Sequence, residues 1–147
     1  FLLHAASAVR GQNAFLFSGV SGAGKTTISS LAPADVTLLT DEISYIRQVS
    51  GQYRAFGTPF AGELARPGEN CHAPISTLFF LEKGPSNRRI PMAKPEAVRR
   101  LMRNILFFAE DPALVDQVFR TACHFVESVP IEALVFVPDA GVWELIK

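Results

Sequence analysis

Residues 14–27 read Ala-Phe-Leu-Phe-Ser-Gly-Val-Ser-Gly-Ala-Gly-Lys-Thr-Thr. Ala14 to Ser18 is an apolar run of strand length, and Lys25 to Leu31 reads as a helix stopped by Pro33. Between them, Gly19 to Gly24 holds three glycines in six residues. Gly19, Gly24, Lys25 and Thr26 occupy every fixed position of the pattern GxxxxGK followed by Ser or Thr. Glycines let the backbone turn its N–H groups toward phosphate oxygens without a Cβ clash. A helix opening at Lys25 adds N–H groups without partners and the positive end of a dipole. The Lys25 ammonium is placed to reach β- and γ-phosphates, and the Thr26 hydroxyl to ligate Mg²⁺. Gly19, Ser21, Gly22, Ala23, Gly24, Lys25, Thr26 and Thr27 are therefore the candidate nucleotide-binding residues. No NKxD motif for reading guanine is present, which favours ATP.

Working outward, Phe1 to Val9 and Val36 to Leu39 are further apolar strands. The latter ends at Asp41-Glu42, only sixteen positions after Lys25, which leaves room for one short helix and one strand. A right-handed βαβ unit of that size predicts the third strand beside the glycine-loop strand, with its carboxyl end at the phosphates. Asp41 is then the candidate acceptor of a hydroxyl proton, and Thr26, Asp41 and Glu42 the candidate metal ligands. Residues 43–48 and 52–56 flank Ser50-Gly51 as a hairpin. Residues 57–74 contain three Pro and three Gly, too irregular for an element and too long for a plain connector. Ile75 to Leu81 is another strand. Val98, Leu101, Met102, Ile105, Phe108 and Ala109 then form one helical stripe, and Leu114, Val118, Ala122, Phe125 and Val129 a second. Ala133 to Val137 is a last strand. The expected fold is a single α/β P-loop domain over residues 1–147, with a mixed β-sheet flanked by helices.

The order of glycine loop, one helix, one strand and an acidic pair resembles the catalytic domain of HPr kinase/phosphorylase and the related ATP-dependent phosphoenolpyruvate carboxykinase fold. LHAASAVRGQNAFLFSGVSGAGKT, residues 3–26, is similar to that family's histidine-bearing strand, turn and loop. The resemblance implies that His4 sits near the reaction centre. Gly57-Thr58-Pro59-Phe60-Ala61-Gly62-Glu63 resembles a loop of HPr-kinase-like proteins found beside peptide-modification clusters. The implied activity is ATP- and Mg²⁺-dependent phosphorylation of a serine-type hydroxyl on a protein, peptide or small molecule, with Asp41, Lys25 and His4 catalytic. The related kinases also imply assembly into a homo-oligomer. Two departures stand out: the second acid is Glu42 rather than Asp, and the LEIRGxG stretch tied to the reverse phosphorylase reaction is missing. A nucleotide-binding switch or simple ATPase is the competing reading.

Composition narrows the remaining classes. Fourteen basic side chains balance fourteen acidic ones, so no overall field steers the chain onto nucleic acid or an anionic membrane. With 48% hydrophobic residues and 12 Phe, the chain has ample side chain to offset backbone ordering. No uncharged run approaches the ~20 residues of a membrane helix. Two cysteines, Cys71 and Cys123, lack zinc spacing and fit reduced thiols in the cytoplasm. The chain opens inside a strand-like run without Met, so an upstream segment is expected. Arg54, Arg66 and Asn70 are candidate phosphate or acceptor contacts, and Glu63 a candidate metal ligand. Arg88, Arg89, Lys94, Arg99, Arg100 and Arg103 form a basic run whose default is a solvated face.

Overall fold

Strand periodicity organises both cores. In the computed structural model, which describes residues 1–108 and 110–147, β1 spans Leu2–Arg10 and β2 spans Asn13–Ser18. Phe15 and Phe17 leave β2 on one face, where they stack on Phe79 with ring centroids 6.5 and 5.9 Å apart. Leu16 leaves on the other face. Successive side chains of a strand point to opposite sides, so one short run feeds two separate apolar clusters.

The chain continues through α1 (Lys25–Ser30), β3 (Val36–Thr40), β4 (Ile43–Val49), β5 (Gln52–Phe56) and β6 (His72–Lys83). It ends with β7 (Arg88–Pro91), α2 (Lys94–Asn104), α3 (Pro112–Ser128), β8 (Ile131–Phe136) and a 3₁₀ turn at Ala140–Leu145. Strands β1 and β6, of nine and twelve residues, are each long enough to serve two sheets. One sheet runs β3-β1-β2-β6-β8-β7, and the other β1-β4-β5-β6. Sharing β1 and β6 closes a ring of five strands, β1, β2, β6, β5 and β4.

This architecture corrects the expected α/β domain with helices flanking a mixed sheet. Over the described residues the protein is mostly β, with eight strands, a closed five-strand mixed barrel and few helices. The expected adjacency of the third strand to β2 also fails: α1 joins β2 to a parallel β3, but β1 lies between them. Strand β3 pairs antiparallel with β1, and the parallel neighbour of β2 is β6. Both corrections have one physical origin. Strand identity is local, whereas the pairing of Ala14 with Ile75 joins residues that no local pattern links.

Leu3, Leu16, Leu78 and Phe80 pack with α2 and α3, through Leu101 and Phe125, into one core. Phe15, Phe17, Phe79 and Phe136 pack with α1 and the 3₁₀ turn, through Ile28 and Trp143, into the other. The Trp143 indole N–H donates to the Ile28 carbonyl at 3.1 Å, which fixes α1 against the C-terminal turn.

The first C-terminal helix stops at Asn104, short of the expected stripe. Ile105 instead bridges to Leu3, Phe108 is 92% exposed, and Ala109 lies outside the described residues. Asp111 caps α3 by accepting the Ala113 N–H at 2.8 Å, with Pro112 in the first turn as expected.

Truncating Phe79 to Ala is expected to cost about 3–5 kcal/mol, because it empties a fully buried ring site. Phe108→Ala should change stability by no more than about 0.5 kcal/mol. Urea unfolding of the two variants checks the contrast.

Candidate functional site

The glycine loop emerges where β2 ends. Ser18 Oγ donates to the His4 carbonyl at 2.9 Å, tying the mouth of the loop to β1. Gly24 has φ 114°, and a Cβ there would stand 2.6 Å from the Phe136 ring, so glycine is demanded by conformation and by space. Helix α1 has six residues, so the loop amides and Lys25 carry more of any phosphate contact than its dipole does. Ala23 turns inward to the core and Gly19 lies buried beneath the loop, while Ser21, Gly22, Gly24, Thr26 and Thr27 border a cleft of about 670 Å³.

Lys25 is buried, and its Nζ donates to the Gly19 carbonyl at 3.3 Å. Burial pushes its pKa below the usual lysine value, and the nearby carboxylates of Glu42 and Glu63 pull partly back. Among the described residues no carboxylate stands within 4.0 Å of its ammonium. A buried cation without a paired anion is costly unless a ligand supplies one.

The facing wall comes from β1, the β3–β4 junction and the long loop: His4, Glu42, Ala61, Gly62 and Glu63. Strands β3 and β4 run antiparallel to β1 in succession, with Thr40 opposite Ser7 and Ile43 opposite His4. Asp41-Glu42 is the kink between them. The Thr40 hydroxyl holds that kink, accepting the N–H groups of Glu42 (3.1 Å) and Ile43 (3.3 Å) and donating to the Phe60 carbonyl (3.2 Å).

The two acids part company here. Asp41 is 4% exposed, and its oxygens accept the N–H groups of Gly62 (2.8 Å) and Leu64 (2.9 Å). It anchors the long loop and does not line the cleft. Glu42 does line it, with one carboxylate oxygen 3.4 Å from His4 Nε2. The anchoring role of Asp41 was not legible, because its partners lie more than twenty residues downstream.

The long loop is fastened along β3. Thr58 and Glu69 donate their N–H groups to the Leu39 and Leu38 carbonyls, and a Cβ on Gly68 would collide with the carbonyl of Leu39. Arg66 and Asn70 border a separate groove with Ser29 and Ser30, and Arg54 donates to His72 Nδ1 (2.9 Å). The structure brings none of these three to the cleft. Glu63 does reach it. Cys71 and Cys123 are unpaired, and no group of three or more His, Cys, Asp or Glu with metal-binding geometry occurs among the described residues. Half of the basic run is paired. Arg89 forks onto Glu132, Arg99 pairs with Glu96, and Arg100 pairs with Glu82 and Glu96.

Fold and cleft together define a mostly β, ring-closed domain with a glycine loop facing a wall of acids and one histidine. The chain belongs to the SynChlorMet cassette protein ScmC family, whose model matches residues 1–147. Among solved structures, the Hpr(Ser) kinase/phosphatase from Coxiella burnetii is similar at 12% identity. That match covers 92% of this chain and 78% of that chain, with a TM-score of 0.45. A likeness of that size bears on neither substrate nor reaction. None of the curated proteins matches the chain.

Two outcomes are expected. Asp41→Asn keeps one acceptor and turns an amide N–H toward the other donor, so it should cost about 1–3 kcal/mol. Hydrogen exchange should then quicken at Gly62 and Leu64 first. For Lys25, a folded pKa below the unfolded one means that the unfolded chain binds more protons between the two values. Stability without ligand should therefore rise with pH through that window toward 10.5. Lys25→Met should flatten the rise and gain about 1 kcal/mol at neutral pH, a shift of roughly 2–4 °C in Tm. Thermal melts across pH check both.

Proposed function

We propose that this chain is an ATP- and Mg²⁺-dependent phosphotransferase acting on a serine-type hydroxyl. The observation that carries the reading is Lys25: a buried, unpaired ammonium beside a glycine loop, across a cleft from Glu42, His4 and Glu63. A triphosphate would supply the anion that Lys25 lacks, with its oxygens against the amides of Gly22 to Thr27.

Magnesium fits the donors present. Mg²⁺ takes one or two carboxylates and completes its shell with phosphates and water, so a dedicated cluster of three protein ligands is not required. Thr26 and Glu63 border the cleft and would hold it, which leaves Glu42 for the proton, whereas both Asp41 oxygens are engaged by backbone. When bound, the ion would neutralise charge on the transferring phosphoryl group.

The chain's own contribution is positioning and electrostatics. Lys25 stabilises negative charge at the γ-phosphate. Glu42, steadied by His4, accepts the hydroxyl proton. Asp41, read from sequence as that acceptor, holds residues 62–64 and with them Glu63 against the cleft. Two unpaired thiols suit a reducing, cytoplasmic setting. No helix among the described residues is long and apolar enough to cross a membrane.

Equilibrium binding and transfer of label from γ-labelled ATP test the proposal. Lys25→Met should weaken ATP binding at least tenfold. Glu42→Gln should retain binding and lose transfer by roughly 10²-fold or more, the scale of one general base. Undiminished transfer by Glu42→Gln removes it as the base. ATP held by the wild type without transfer to any hydroxyl acceptor would make the protein a nucleotide-binding switch.

A further inference from the structure

A second cleft, of about 690 Å³, opens on the other side of the glycine loop, between that loop and α2. It shares His4 and Ser21 with the first, so the two meet at the histidine beside Glu42. Its size lies within the ~300–1,000 Å³ of small-ligand sites. It suits a small molecule or the end of a peptide better than the face of a folded protein.

The charges on its α2 wall are unequal in availability. Glu96 gives both carboxylate oxygens to Arg99 and Arg100, and Glu82 accepts from Arg100 at 2.7 Å. Arg100 is thereby neutralised and lies over the Phe80 ring. Arg103, one turn further along α2, borders the same cleft with no carboxylate within 4.0 Å among the described residues. The paired acids neither repel an incoming anion nor occupy Arg103, whose planar fork matches a carboxylate in a bidentate manner.

We propose that this second cleft is the acceptor site, and that the acceptor carries a free carboxylate close to its hydroxyl, bound by Arg103. The chemistry is that of serine, either free or as the last residue of a peptide. This rests on the phosphotransferase reading. With the carboxylate on Arg103, the hydroxyl points toward His4 and Glu42, where the clefts join. Its oxygen forms a bond to the γ-phosphorus, the bond from that phosphorus to the β,γ-bridging oxygen breaks, ADP departs with the electron pair, and the hydroxyl proton passes to Glu42.

The experiment compares four acceptors with γ-labelled ATP: L-serine, Ala-Ala-Ser, the same tripeptide amidated at its C-terminus, and an acetylated, amidated peptide with internal serine. Label is expected on an acceptor bearing the carboxylate, with amidation costing at least tenfold in kcat/KM. Comparison of the first two acceptors separates free serine from a peptide end. Arg103→Gln should raise the acceptor KM at least tenfold while keeping kcat and ATP affinity, and Arg103→Lys should fall between. Because Arg103 is exposed and unpaired, these variants are expected to fold normally. The proposal is overturned by equal transfer to the amidated tripeptide, by an unchanged KM in Arg103→Gln, or by no transfer to any carboxylate-bearing acceptor. In each case wild-type ATP binding that Lys25→Met weakens would leave the nucleotide reading standing, whereas absence of ATP binding ends both.

Discussion

The pairing of β1 with residues 36–45 governs the placement of everything else. One strand carries β2 along one edge, and along the other it carries β3 and then β4 in succession. That arrangement puts the Asp41-Glu42 kink beside His4 and across from the loop that leaves β2. Slipping the register by one residue would exchange the faces of β1, sending His4 inward and Leu3 outward. The chemistry of the cleft and the closure of the ring therefore depend on the same set of backbone hydrogen bonds.

Within that frame, the cleft holds a cost that the apolar cores must offset. Lys25 is desolvated beside a loop whose glycines surrender conformational freedom, and neither feature favours folding. Stacked Phe15, Phe17 and Phe79, with Trp143 edge-on to Phe17, lie directly behind the loop and α1. A stacked aromatic cluster thus backs the desolvated lysine. Such a juxtaposition is what a binding site demands when its polar groups must be held ready for a partner that is not part of the chain.

Much of this was legible in the residues. The glycine loop, the strand before it, the helix after it, the hairpin about Ser50-Gly51 and the capped α3 follow from local pattern and stand where they were expected. Topology did not. The ring closes through contacts between Ala14 and Ile75 and between Arg54 and Pro74, and alternation along a strand says nothing about which strand lies beside it. Strand β7 escaped notice because Arg88-Arg89-Ile90-Pro91 has the composition of a solvated turn, and its arginines are extended by pairing with β8 and by Glu132. The roles of Asp41 and Glu42 were merged for a related reason. Two neighbouring acids look equivalent until a distant loop claims one of them.

A sheet that closes only in part still has margins, here β3 and β7, where unpaired backbone could recruit another chain. The long loop lies over β3 and caps its Leu38 and Leu39 carbonyls. At the opposite margin β7 is four residues long, charged at its start and closed by a proline that has no N–H to offer. Each margin is thus made a poor template for intermolecular strand addition. In a crowded cell, where nascent copies meet at high concentration, that guards a β-rich chain against polymerising along its own edges.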